Sequence, residues 1–141
     1  MNILVVTPAD ESHRQMLRNA APDGDFTFVP IGDVTRQQVQ EADIIIGNAP
    51  IPLIAGTRKL KLLQLNSAGT DGYIAPGVLP EGCTLCNATG AYGLAVSEHM
   101  LGGLLCLMKK LDRYRLNQEQ HLWHDEGGVT SIYGAKTLVV G

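Results

Sequence analysis

The sequence has no excess of positive charge and no long hydrophobic run, and each absence excludes a class of protein. Eleven Lys and Arg residues against 14 Asp and Glu give a net charge of -3 at pH 7, so no global attraction draws the chain to nucleic acid or to an anionic membrane surface. The most apolar segment, Leu94 to Leu111, is interrupted by Ser97, Glu98 and His99 and is shorter than the roughly 20 apolar residues of a membrane span. We expect neither a nucleic-acid partner nor a membrane partner.

Cysteine is scarce, and this indicates a reducing compartment. Cys83, Cys86 and Cys106 are too few for a disulfide framework. Although Cys83 and Cys86 have CxxC spacing, a strand would direct them to opposite faces, which argues against a redox or metal site. The first letters, MNILVV, run into polar residues and proline without the two regions of a secretion signal. We therefore predict a cytoplasmic protein.

Short apolar runs alternate with helical segments along the first two thirds of the chain. The predicted strands are 2–6, 26–31, 44–47, 60–66 and 83–87, and the helical segments between the first four are 10–21, 35–42 and 51–54. Because βαβ crossovers place helices over both faces of a sheet, this order predicts an α/β fold with a doubly wound parallel sheet of five strands.

A long apolar helix and a polar stretch are predicted next. The helix, 93–111, is apolar almost all round and should be buried on more than one side. Gly102 and Gly103 would let a second helix approach closely, and a dimer interface is one way to supply it. The polar residues 112–133, with Trp123 as their only tryptophan, predict an extended arm or loop.

The loop NSAGTDG, residues 66–72, is the strongest candidate for a binding site. It directly follows a predicted strand, and ligands of open parallel sheets bind beyond the carboxyl ends of the strands. Its small residues would let several backbone N–H groups face one carboxylate or phosphate oxygen. The alternative, a simple turn in which Asp71 caps a helix, stays open with about equal weight.

Other motifs are weaker. Ser97–His99 lie on a helix where adjacent side chains point in different directions, so we favour a structural role over acid–base chemistry. The stretch HLWHDE, 121–126, offers a weak metal site but is better explained as a solvated loop, and no metal ligands are predicted. A phosphorelay receiver needs acidic residues where this chain has Thr7-Pro8 and Asn48-Ala49, so that class is excluded.

Three stretches together resemble the first part of a D-isomer-specific 2-hydroxyacid dehydrogenase. They are LKLLQLNSAGTDGY, CNATGAYGLAVSEHMLGGLL and YGAKTLVVG, with a Trp between the last two. Their order matches an AG-x-D turn after a strand, a V-[AS]-E-H helix and a KTL strand that is followed by a glycine. The resemblance covers residues 60–141 well and the first half only as a strand–helix pattern.

The resemblance implies an architecture. Family members have two doubly wound domains with the cofactor between them. Residues 1–92 would form the flavodoxin-like substrate domain and 93–135 a long interdomain and dimerisation helix with its arm. Residues 136–141 would form the first strand of a truncated Rossmann domain for the nucleotide. A homodimer through residues 93–133 is expected.

The resemblance also implies a function for the complete protein. It would interconvert small 2-keto acids and D-2-hydroxy acids with NAD or NADP. The family's catalytic Arg, Glu and His lie downstream of Gly141, so the 141-residue chain alone should be inactive and bind no cofactor tightly. The alternative is a free-standing, non-catalytic dimerising or anion-binding module on the same fold, since the chain has none of these catalytic groups.

Substrate-binding residues are carried over one at a time. Ala68 and Gly69 match the turn whose backbone amides face the substrate carboxylate, and Ser67 and Thr70 flank it. Asn48-Ala49 resembles, loosely, the loop that lines the side-chain pocket.

One further match, Tyr92, belongs to the substrate-binding residues, and two matches belong to the cofactor side. Tyr92 occupies a position that often presents a polar side chain to the cleft, Val96 is similar to a residue beneath the nicotinamide, and Gly141 matches the first glycine of the dinucleotide fingerprint. Glu98 and His99 match letters of the family signature but are not its catalytic pair, so no catalytic residue is predicted in this chain.

Overall fold

Five strands and five helices make up the computed structural model, which describes residues 1–140. The strands are β1 (Asn2–Val5), β2 (Asp25–Phe28), β3 (Ile44–Ile46), β4 (Leu62–Gln64) and β5 (Thr84–Cys86). The helices are α1 (Glu11–Ala20), α2 (Arg36–Glu41), α3 (Ile51–Ile54), α4 (Gly93–Met108) and α5 (Leu111–Glu119). The chain divides into two compact units, and the second begins at Tyr92.

The first unit is built on one sheet of five parallel strands in the order β2-β1-β3-β4-β5. Ile3 of β1 pairs with Phe26 of β2 on one side and with Ile44 of β3 on the other. This is the flavodoxin-like order, in which connections leave β1 and β3 in opposite directions. The predicted parallel flavodoxin-like sheet is confirmed.

The central strands are apolar because both of their faces are covered. Ile45 of β3 and Leu63 of β4 have no exposed surface, and Val39 of α2 and Ile54 of α3 are equally buried. Each such side chain stabilises the fold by roughly 1.5–3 kcal/mol relative to exposure. Continuous aliphatic runs are typical of strands buried in this way, and they let the sequence predict the sheet.

Local signals set the helix starts of this unit. Asp10 caps α1 by accepting the His13 N–H at 2.9 Å, and this bond is the main cause that lowers the pKa of Asp10. Thr35 and Gln38 form a capping box at the start of α2.

A buried carboxylate holds the amino-terminal edge of the sheet. Asp43 accepts the Asn2 N–H at 2.8 Å and lies 3.2 Å from Lys61 Nζ and 3.7 Å from Lys59 Nζ. The hydrogen bond from Asn2 is the main reason that the pKa of Asp43 lies below its usual value. The negative charge therefore ties the starts of β1, β3 and β4 together at the edge opposite the carboxyl ends.

The second unit contains a helix that the sequence analysis missed. The predicted arm begins with α5, and Lys110, in the left-handed conformation at φ 55°, separates α5 from α4. The prediction of a loop was wrong here because polar residues such as Arg, Gln and Glu are good helix formers, and a polar composition does not exclude a helix. An Arg115–Glu119 pair at 2.6 Å adds i,i+4 support.

The long helix α4 ends at Met108 and is not buried as predicted. None of its residues is buried, and Leu94 and Leu107 are more than 70% exposed. An apolar helix is buried only where another surface covers it, and residues 1–140 do not supply that surface. Within the described part of the chain, no helix is both long and apolar enough to cross a bilayer.

The last described residues do not form the predicted strand. Leu138, Val139 and Val140 have no strand assignment and are 68–86% exposed. A strand needs a hydrogen-bonded neighbour, and none of residues 1–140 pairs with this segment. Its place in a second, nucleotide-binding domain stays a prediction, and Gly141 lies outside the described residues.

The substitution Gly47→Ala tests how closely the ends of β1 and β3 approach one another. Its φ is +112°, and a Cβ at this position would lie 2.8 Å from both Thr7 N and Val6 Cγ2. We expect Gly47→Ala to lower the free energy of unfolding by about 1–3 kcal/mol, because both the backbone conformation and the space oppose a side chain. Urea unfolding followed by circular dichroism measures this change. The control is Gly32→Ala, where no heavy atom lies within 4 Å of the added Cβ; equal midpoints for the two variants would contradict the argument.

Candidate functional site

Polar residues follow four neighbouring strands of the first unit where each strand ends. Thr7 comes after β1, Asn48 after β3, residues 66–70 after β4 and Asn87 after β5. In a parallel sheet these ends meet at one edge, and that edge is where ligands bind. The loop 66–70 lies within this group.

Asn48 holds the loop that follows the neighbouring strand. Its Nδ2 donates to Ser67 Oγ at 3.0 Å, and its Oδ1 accepts the Asn66 N–H at 2.9 Å. The Ser67 hydroxyl in turn donates to the Gly69 carbonyl at 2.9 Å. The nitrogen and the oxygen of one half-buried side-chain amide therefore both hold the start of the loop.

Two further asparagines fix the loop from either side. Asn66 Nδ2 donates to Thr7 Oγ1 at 3.4 Å, and Asn87 Nδ2 donates to the Ala68 carbonyl at 2.8 Å. The Ala88 N–H also donates to the Ser67 carbonyl at 2.9 Å. The loop is therefore anchored to the ends of β1, β3 and β5.

In residues 67–70 the backbone carbonyls are hydrogen bonded and the backbone N–H groups are not, within the described part of the chain. All four carbonyl oxygens accept a hydrogen bond, from Ala88 N–H, Asn87 Nδ2, Ser67 Oγ and Tyr73 N–H in turn. None of the four backbone N–H groups donates one to any group within residues 1–140. Ala68 and Gly69 are exposed, while Ser67 and Thr70 are half-buried. Four consecutive amide donors are thus available to a ligand with negatively charged oxygen atoms.

A buried tyrosine links this loop to the segment that follows β3. The Tyr73 hydroxyl donates to the Ala49 carbonyl at 3.1 Å, and burial raises the pKa of Tyr73, so the hydroxyl stays protonated. Ala49 itself has no exposed surface. The structure therefore places Ala49 in the core and not, as expected, on the lining of a pocket; Asn48 is the part of that pair that reaches the loop.

Asp71 does not cap a helix. The segment between β4 and β5 consists of turns, so the alternative interpretation of a helix cap after β4 is wrong. Asp71 Oδ2 lies 3.6 Å from the position that a Cβ of Gly69 would take. Its negative charge near the four amides opposes anion binding.

The remaining predicted site residues within the described part of the chain belong to the second unit. Tyr92 and Val96 belong to the second unit, at the start of α4, and each is 52% exposed. Their proposed places beside the substrate and nicotinamide stay predictions.

The two acids of the HLWHDE stretch are engaged inside their own unit. Asp125 Oδ1 accepts the Gly127 N–H at 2.9 Å, and Glu126 Oε1 accepts from Asn117 Nδ2 at 2.8 Å. Across residues 1–140, no three His, Cys, Asp or Glu side chains are grouped in a way that could hold a metal ion.

Comparisons with known proteins agree with this fold. No family model matches the chain. Glyoxylate/hydroxypyruvate reductase A of Photorhabdus laumondii is 29% identical over 98 residues, which are 65% of this chain and 30% of that protein. The crystal structure of a D-isomer specific 2-hydroxyacid dehydrogenase family protein from Aeromonas salmonicida superposes with a TM-score of 0.78 at 25% identity, covering 93% of this chain and 43% of that one.

The resemblance to the D-isomer-specific 2-hydroxyacid dehydrogenases is confirmed. A D-lactate dehydrogenase of Aquifex aeolicus, solved with NAD and lactic acid, shares the fold at 15% identity, with a TM-score of 0.69 over 93% of this chain and 40% of that one. The chain spans less than half the length of each of these dehydrogenases and reductases. The match in sequence to these enzymes leaves the roles of individual residues as proposals.

Sequence reasoning missed two residues that contact the loop. Thr7 accepts from Asn66 Nδ2 and Asn87 donates to the Ala68 carbonyl, although the sequence analysis gave neither a role in this site. A signal was present, because each is a polar residue at the end of a predicted strand or directly after it. Which strand ends are neighbours depends on the strand order, and the sequence does not contain that order in readable form.

Asn48→Ala tests whether this residue holds the loop. Without Oδ1 the Asn66 N–H loses its acceptor, so we expect hydrogen exchange of the Asn66 amide to accelerate by about tenfold or more. Exchange measured by NMR checks this expectation. Asn48→Asp is the matched control, because it keeps an oxygen acceptor for Asn66; unchanged protection in Asn48→Ala would contradict the role.

Proposed function

We propose that this chain is the substrate-binding domain of an NAD(P)-dependent oxidoreductase that interconverts 2-keto acids and D-2-hydroxy acids by hydride transfer. The observation that carries the proposal is the loop 67–70, whose four N–H groups are unused while its four carbonyls are all engaged. A 2-keto acid has a carboxylate whose two oxygen atoms accept hydrogen bonds of this kind. The enzymes named above act on small acids of this class, which supports the choice.

The loop would position the substrate and stabilise its charge. Backbone amides do not titrate, so their attraction for a carboxylate does not change with pH, and the anchored loop needs no rearrangement on binding. Holding the carboxylate fixes where the 2-keto carbon lies, which is the positioning that hydride transfer requires. Asn48, Asn66 and Asn87 act as positioning residues, because they fix the loop.

Acid–base chemistry is not supplied by these residues. The side chains that hold the loop are amides and hydroxyls, which do not ionise near neutral pH. Asp71 is an acid, but its charge opposes the substrate. We therefore also propose that the 141-residue chain alone does not turn over substrate.

The cofactor belongs to the complete enzyme in this proposal. NAD or NADP would supply or accept the hydride when bound. Residues 1–140 contain no G-x-G-x-x-G turn after a strand, so they do not fit the pyrophosphate of a dinucleotide. No step is therefore derived through the cofactor from these residues.

A homodimer through residues 93–133 is part of the proposal. The second unit exposes an unusual number of large apolar side chains, and those of α4 that are at least half exposed are Leu94, Val96, Met100, Leu101 and Leu107. Apolar surface of this extent marks an interaction site in a folded protein. A Cβ atom added at Gly102 or Gly103 would have no heavy atom within 4 Å, which leaves room for a second helix.

A free-standing anion-binding module is the second candidate. It is favoured by the lack of any acid–base group that contacts the loop. Both candidates predict binding of a small anion by residues 67–70, and they differ in whether the complete protein oxidises NADH.

Titration with glyoxylate tests the anion site. We expect the backbone amide signals of residues 67–70 to shift in ¹H–¹⁵N NMR spectra and to saturate, because these N–H groups would become hydrogen bonded. Gly69→Asp should weaken binding by about tenfold or more, since it adds a second negative charge at the loop.

The controls for this titration separate local from general charge effects. Gly128→Asp adds the same charge at an open position of the second unit and should leave binding unchanged. Asp71→Asn should strengthen binding. Glyoxylate shifts that avoid residues 67–70 would refute the site, and oxidation of NADH by the 141-residue chain with glyoxylate would refute its proposed inactivity.

Sedimentation equilibrium tests the dimer. We expect Leu101→Glu to weaken self-association by about tenfold or more, because a charge would be buried without a partner at the α4 interface. Met16→Glu on α1 is the control, since Met16 is also exposed, at 67%, but lies in the first unit. A chain that is monomeric at all concentrations, or two variants with the same effect, would contradict the interface.

A further inference from the structure

A second concave feature lies at the carboxyl ends of β1 and β2, and of its lining residues Thr7 also anchors the loop 67–70. Residues 5–9, Arg14 and residues 28–31 line a cavity of about 420 Å³ there. This volume falls within the roughly 300–1,000 Å³ of small-molecule sites. We call it the β1–β2 pocket. All of its lining belongs to the first unit.

The walls of the β1–β2 pocket are mainly apolar. Val6, Phe28 and Val29 come from the strand ends, and Ile31 on the following turn is 49% exposed. Such a lining favours the hydrocarbon part of a ligand, because apolar surface is removed from water when it is filled. Inorganic phosphate or sulfate has no such part.

One cation faces this apolar lining. Arg14 is partly buried, its Nε donates to the Ala9 carbonyl at 3.1 Å, and its guanidinium carbon lies 4.9 Å from the centre of the Phe28 ring. The stem and one edge of the side chain are therefore held in place. A guanidinium fixed in this way can donate to a carboxylate with little further loss of side-chain conformational entropy.

Arg14 has no carboxylate partner in the part of the chain that the structure describes. Arg18, one helical turn further on, pairs with Glu11 at 3.1 Å. The nearby Asp10 carboxylate is engaged by the Ser12 hydroxyl at 2.7 Å and the His13 N–H at 2.9 Å. The terminal nitrogens of Arg14 make no hydrogen bond within residues 1–140, so the positive charge at the pocket is not neutralised.

We propose that the β1–β2 pocket binds a small organic anion, namely a monocarboxylate with a branched or aromatic apolar group. Arg14 would bind the carboxylate through two parallel N–H···O bonds, and Val6, Phe28 and Ile31 would contact the apolar group. The residues proposed to contact this ligand are not those of the substrate loop, and the proposal does not depend on the dehydrogenase function.

Phenylacetate is the probe for this site, and its uncharged analogue phenylacetamide tests the need for charge. In ¹H–¹⁵N NMR titrations of the 141-residue protein we expect saturable shifts at Thr7, Ala9 and Val29 with phenylacetate, and weaker binding of the amide by about tenfold or more. Equal affinity for the two compounds, or shifts confined to residues 67–70, would overturn the proposal.

Arg14→Gln should weaken phenylacetate binding by about tenfold or more, because the charge-assisted bonds are lost. The matched control is Arg18→Gln, which removes an arginine that also lies against Phe28, at 5.6 Å, but is already paired with Glu11. Thermal unfolding verifies that each variant is folded. Equal losses in the two variants would refute the role of Arg14.

A second variant keeps the test decisive if Arg14→Gln does not fold. Ile31→Asp places a negative charge at the exposed rim of the pocket and should weaken phenylacetate binding while glyoxylate binding at residues 67–70 is unchanged. Unaltered phenylacetate affinity in Ile31→Asp would overturn the proposal. A failure of glyoxylate binding alone would affect only the proposed function.

Discussion

The parallel sheet is the constraint on which the rest of the first unit depends. Its central strands are buried on both faces, so their backbone groups must pair with neighbouring strands and their side chains must be apolar. The parallel direction then brings every strand's carboxyl end to the same edge. Polar residues separated by up to 80 positions in sequence, such as Thr7 and Asn87, become members of one site for this reason alone.

At that edge the useful chemistry lies in the backbone. Side-chain amides from two neighbouring loops hold the loop after β4, because Asn48 accepts the Asn66 N–H and Asn87 donates to the Ala68 carbonyl. The four following N–H groups are left as donors. A charged side chain could attract an anion more strongly, but it would titrate and would need to be held in one rotamer. Here the asparagines 48, 66 and 87 fix a set of backbone donors that do not titrate. Such donors suit a site that positions an acid without reacting with it.

The two units differ in how far their own residues cover their apolar surface. The first unit buries its aliphatic residues, whereas α4 is as apolar as a core helix and yet exposed. The expectation that α4 is buried came from its composition, and composition reports the need for a covering surface without identifying that surface. The missed helix α5 shows the converse, since its polar residues favour a helix by propensity and by an i,i+4 ion pair although they have no apolar stripe.

The sequence by itself determined the elements that depend on local or compositional signals. Aliphatic runs predicted all five strands, the capping residues marked the starts of α1 and α2, and the small residues 67–70 predicted an amide-lined turn. Tertiary structure alone decided that Asn48 holds this turn, that Ala49 is buried, and that Arg14 faces the end of β2. These facts depend on which strand ends are neighbours and on which groups already have partners, and both are properties of packing between residues that are distant in sequence.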